Sequence, residues 1–126
     1  AYSATQYDIV HKVRGTETIP IETASTVDEF IYPDIEITMT GGIEVRIRND
    51  NLNEEMVLTG LINGHTYICY NEGIKHIKCV ENEKENMRKK FNKVWLRLDG
   101  YAHNMITVTG NCDIKIYFQN RLAIQH

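Results

Sequence analysis

The chain has 126 residues, 14 of them Lys or Arg against 17 Asp or Glu, for a formal charge of −3. That length suffices for one domain burying roughly two thirds of its unfolded surface without a disulfide or metal staple, and its acidic balance offers no footing for nucleic acid. No apolar run reaches the ~18 residues of a bilayer span, and the N-terminus lacks a signal-peptide layout, so a soluble chain without membrane contact is expected.

Opening at Ala1 and already patterned, the chain reads as an excised part of a longer protein. YDIVHKV and TIPIET predict two strands, and Pro20, which lacks a backbone donor, confines the second to an edge or a strand start. ASTVDEFIYPD predicts a crossing loop in which Pro33 holds Tyr32 extended. From Ile35 onward period-two alternation dominates. IEITM places Ile35, Ile37 and Met39 on one face. After a turn at Gly41 and Gly42, IEVRIR places Ile43, Val45 and Ile47 inward and Glu44, Arg46 and Arg48 in water. One wet face predicts an antiparallel hairpin.

NDNLN (49–53) is a turn cluster, and EEMVLTGL and HTYICY are strands that Asn63 and Gly64 should join as a hairpin. Glu72 and Gly73 then turn the chain into IKHIKCV. The one helical pattern is Asn82 to Lys93: Asn82 can cap it, acids fill its first turn and bases its last, and Met87 and Phe91 lie at i, i+4. Its interleaved charges suit a solvated face. Three closing strands joined by Gly- and Asn-bearing turns should point Val94, Leu96 and Leu98, then Ile106 and Val108, then Ile114, Ile116 and Phe118 inward. About nine short strands and one short helix predict an all-β antiparallel sandwich of the jelly-roll or a related type, spanning 1–126 as a single domain.

Catalytic patterns are missing. Ser3 and Ser25 are the only serines and neither lies in a G-x-S-x-G turn; Asp99 and Asp113 sit in or beside turns, where Asx geometry explains them. No Gly-rich loop precedes a helix, so no phosphate cradle is expected. Cys69, Cys79 and Cys112 are odd in number and lie in apolar runs, which predicts buried, unbridged thiols. His11, His65, His76, His103 and His126 are dispersed without i, i+4 pairs, and no metal site or cofactor is assigned. A non-enzymatic chain is expected.

One set of residues suggests a binding surface for a protein or a glycan. Trp95 and Arg97 occupy polar-facing positions if Val94, Leu96 and Leu98 face the core, and GYAHN adds Tyr101, His103 and Asn104 beyond them. The alternative is that Trp95 packs beneath the Asn82–Lys93 segment and Tyr101 decorates a turn.

IYPDIEITMTG, MVLTGLINGHTYIC and FNKVWLRLDGYAHNMITVTGNCDIKIYFQNR, in this order, resemble the C-terminal domain of the siphovirus distal tail proteins. Tyr32, Pro33, Ile35, Glu36 and Ile37 match the family's opening strand motif, and Leu98, Asn104, Ile106, Thr109 and Gly110 match its closing segment. The insertion Tyr101–His103 between Gly100 and Asn104 departs from the tighter family turn. The resemblance covers roughly residues 30 to 121. It implies a galectin-like β-sandwich attached to a separate N-terminal domain that builds a hexameric ring. It also implies a structural place in a virion tail tip or baseplate, assembled in the host cytoplasm. Other tail, baseplate or receptor-binding proteins would then be its partners, with a host-wall carbohydrate module as the alternative. The chain without the ring-forming domain is expected to be monomeric.

Overall fold

The computed structural model describes residues 2–71 and 73–123. It is nearly all β, in two antiparallel sheets arranged as a sandwich. The strands are β1 (Tyr2–Glu22), β2 (Phe30–Ile31), β3 (Asp34–Asn49), β4 (Glu54–Leu58), β5 (Thr66–Asn71), β6 (Lys75–Cys79), β7 (Leu98–Asp99) and β8 (His103–Ala123). β1 and β8 pair along their whole length, from Tyr2 opposite Ala123 to Glu22 opposite His103. β8 lies between β1 and β3, and the far side of β3 takes β5 along its first half and β4 along its second. β6 closes that side, while β2 and β7 form the small second sheet. Pro20 sits on β1, an edge strand where its missing donor costs no ladder bond.

Three predicted interruptions are bends inside continuous strands. The two strands expected before residue 23 are one, and Gly15 stands opposite Gly110 within it. The hairpin expected at Gly41 and Gly42 is a bulge in β3: Gly41 pairs Asn111 and Arg46 pairs Thr109, so the residues between them oppose Gly110. Gly110 has φ 143°, and a Cβ there would lie 2.8 Å from the Glu44 carbonyl oxygen and 3.2 Å from Val45 Cγ2. Only glycine lets the two backbones approach so closely. Ile43, read as inward, projects from the bulge and is 67% exposed. The turn expected within TGNC is likewise absent, and β8 runs through it.

Asn63 and Gly64 do form a turn, but not a hairpin. β4 and β5 are both antiparallel to β3, so they run in the same direction, and the connection carries the chain across the β3 bulge. Hydrogen bonds fix it there, from Leu61 N to Ile43 O (2.9 Å), Gly64 N to Met39 O (2.8 Å) and Met39 N to His65 O (3.0 Å). The turn expected at Glu72 lies outside the described residues; Gly73 beside it has φ 84°.

The core contains Ile35, Ile37, Val45, Ile47, Ile106, Val108, Ile114, Ile116 and Phe118, as the alternation predicts, and Leu96, expected inward as well, is buried although it lies in no strand. Val94 is the exception, at 38% exposed. The helix over Asn82–Lys93 shrinks to one 3-10 turn, Met87–Lys90, capped by Asn86. Its backbone groups are drawn to β4 instead: Thr59 N donates to Lys90 O (2.8 Å) and Asn92 N to Val57 O (3.1 Å). Asn92 completes the attachment, with Oδ1 accepting from Val57 N and Nδ2 donating to Glu55 O. A helix cannot continue through carbonyls and amides committed to a strand edge.

Candidate functional site

The five residues picked from the sequence do not form one surface. Trp95 and Leu96 are both buried, because residues 94–97 are not a strand and alternation does not govern them. Trp95 Nε1 donates to Pro33 O at 3.2 Å, and its ring meets Phe91 edge-on, with centroids 6.1 Å apart. This is the packed alternative, under a 3-10 turn rather than a helix. Arg97 clamps Glu54 through two hydrogen bonds of 2.7 and 2.8 Å and lies 3.9 Å above the Phe30 ring. Those hydrogen bonds hold Glu54 below the usual carboxylate range.

Asn104 is fully buried. Its Oδ1 accepts from Asp99 N (2.8 Å) and Asn49 Nδ2 (3.2 Å), and its Nδ2 donates to the Ile21 and Asp99 carbonyls. It is therefore a structural pin beneath the β7–β8 turn and unavailable to a partner. Tyr101, 69% exposed on that turn, and His103, the first residue of β8, do remain at the surface, His103 standing 3.7 Å from Glu22.

The structure offers two concavities that the sequence reading missed. The first, of about 570 Å³, lies between β6 and the Met87–Lys90 turn. Ile74, Ile77, Met87, Phe91 and Trp95 supply its apolar lining, and Lys75, Arg88 and Lys93 stand on its rim. Glu85, the acid of this cleft, is paired with Lys90, whose hydrogen bond lowers its pKa. Ile74 is 68% exposed and directly precedes β6, which among the described residues pairs with β5 alone and leaves its other edge open. A sequence signal existed: Ile74 and Ile77 are three apart, so IKHIK puts apolar residues on both faces of a strand.

The second, of about 550 Å³, is more polar. Phe30, Tyr32 and Tyr117 bring rings to it, and Gln6, Asp34 and Asn71 bring polar groups. One wall is the Asp28–Arg121 ion pair, with Ser25 Oγ also donating to Asp28 Oδ2 (2.7 Å). The Arg121 hydrogen bond is the largest influence lowering the Asp28 pKa.

These are features of a packed β scaffold with open edges and surface grooves. The phage tail C-terminal domain family model matches residues 1–118, and the chain belongs to that family. It is thus a structural component of a virion tail, placed among other tail proteins. The comparisons with curated proteins and with solved structures gave no match.

Proposed function

We propose that the domain is a non-catalytic adaptor of the tail tip or baseplate, of the distal-tail type, and that it docks a neighbouring tail protein through the groove between β6 and the Met87–Lys90 turn. The observation that carries this is exposed Ile74 beside a sheet edge, lining one groove with Trp95 and Phe91 and with the basic Lys75, Arg88 and Lys93. On a chain of net charge −3, this rim selects an acidic partner segment with an apolar anchor. Central anchors in such grooves carry most of the binding energy.

The non-catalytic reading is supported by the state of two of the three thiols and of Ser25. Burial pushes the Cys69 thiol up to about 12 and Cys112 up to about 11, which keeps both protonated and inert. Ser25 donates to Asp28 and to the Arg121 backbone carbonyl, and Asp28 is a weakened base because the Arg121 hydrogen bond lowers its pKa. Monomeric behaviour of this chain follows from the same reading, since the ring contacts of distal tail proteins belong to a separate domain.

Ile74→Asp should weaken binding to the adjoining tail protein by about 2 kcal/mol or more with the circular dichroism spectrum unchanged. Retention of full affinity in that variant would remove the groove from the account. A second reading, glycan binding, is favoured by the polar cleft with Tyr32 and Tyr117 beside Asp34 and Asn71. Tyr32→Ala, read on a glycan array, separates it from the first: glycan binding lost with Tyr32 supports it, and a blank array for the unaltered chain removes it.

A further inference from the structure

The end of the β5–β6 hairpin gathers three side chains of different chemistry. Tyr67 pairs Cys79, and Val80 N donates to Thr66 O at 2.9 Å. The same register brings His65 opposite Glu81. All of 65, 79 and 81 share one parity, hence one face of the hairpin. His65 Nδ1 lies 3.5 Å from Cys79 Sγ, which lies 3.8 Å from Glu81 Oε1, and the three donor atoms all fall within 4.8 Å of one another.

We propose that His65, Cys79 and Glu81 form a binding site for a divalent zinc-class metal ion, with its fourth position open to solvent. A tetrahedral zinc held by sulfur at ~2.3 Å and by nitrogen or oxygen at ~2.0 Å needs its ligand atoms ~3.5 Å apart. The sulfur-to-nitrogen and sulfur-to-oxygen separations are already close to that spacing. A thiolate, an imidazole and a carboxylate together favour zinc or cobalt and disfavour calcium and magnesium, which require an oxygen cage.

The ligands are also held in place. Thr66 N donates to Glu81 Oε1 at 2.7 Å, which orients the carboxylate. The His65 backbone is fixed at both ends, its N donating to Ile62 O (3.1 Å) and its O accepting from Met39 N (3.0 Å). Cys79 is buried, His65 half-buried and Glu81 exposed, so the open position faces water. Binding converts the Cys79 thiol to a metal-bound thiolate and releases one proton to solvent, so affinity rises with pH.

The test is cobalt titration of the reduced, metal-stripped chain, followed by zinc displacement. A one-to-one complex with a thiolate-to-cobalt charge-transfer band is expected, bleached by zinc and unaffected by magnesium. Groups that only orient a ligand cost about tenfold to a hundredfold in metal affinity, so loss of a ligand in His65→Gln or Cys79→Ser should cost at least about a hundredfold. His65→Gln is the safer variant, because its side chain is half-buried and circular dichroism can confirm the fold. Absence of the band in the unaltered chain would overturn the proposal, as would a band of unchanged affinity in His65→Gln, which would show that His65 is not a ligand.

Discussion

Trp95 shows how one side chain can be read as surface and serve as anchor. Its indole donates to Pro33 O and packs edge-on against Phe91, so it ties the 87–98 segment to the entry of β3. Trp95→Ala should cost about 3 to 5 kcal/mol through the cavity it opens. Tyr101→Ala should stay within about 0.5 kcal/mol, because that ring stands in solvent. Urea unfolding of the two variants decides this, and equal losses would mean that the two roles are misassigned. The burial of Ile35, Ile116 and their neighbours was legible because each alternates with polar residues along a real strand. The polar-facing positions assigned to Trp95 and Arg97 come from extending alternation onto 94–97, which is not a strand, and for Trp95 the packed alternative is the one the structure shows. Asn104 was misread for another reason: a buried amide that satisfies backbone groups has the same letter as one offered to a ligand.

At the level of elements, glycine has two meanings, a turn between strands and a bend within one, that the letter alone does not separate. In β8, the inward residues keep one parity from Ile106 through Val108, Cys112 and Ile114, passing Gly110 without a break. Unbroken parity marks a strand that bends, and it was visible in the sequence. What was not visible is the cross-strand partner that forces the bend, the Glu44–Val45 backbone beneath Gly110. Gly110→Ala should therefore destabilise by more than Gly42→Ala. At Gly42, where φ is 72° and a Cβ meets nothing within 4 Å, left-handed strain alone costs about 1 to 2 kcal/mol. Thermal melts of the pair test it, and a milder effect at Gly110 would contradict the close approach. The shortened helix is a tertiary override: good caps and an i, i+4 pair lost to hydrogen bonds with β4 that no local pattern announces.

For the whole molecule, stability depends on carboxylates that bind arginine. Asp28 and Glu54 both have lowered pKa values in the folded state, chiefly through hydrogen bonds from Arg121 and Arg97. Their contribution is full above the unfolded carboxylate values of 3.8 and 4.5 and is lost as pH falls through the lower folded values. The urea midpoint should thus drop on acidification below pH ~4, and Asp28→Asn should flatten that drop. An unchanged slope would show that the pair is not linked to folding. The sandwich and the tail-protein resemblance were legible from strand patterns and short motifs, but the β6 groove was not. It arises from an open sheet edge meeting a segment fastened to β4, a juxtaposition of residues 74–77 with 87–95 that depends on the fold. Isothermal titration of the purified chain against the adjoining tail protein bears most directly on the proposed adaptor role. The account predicts a saturable complex that Ile74→Asp weakens by roughly 30-fold, equivalent to about 2 kcal/mol; no complex with any tail protein, alongside micromolar glycan binding, would contradict it.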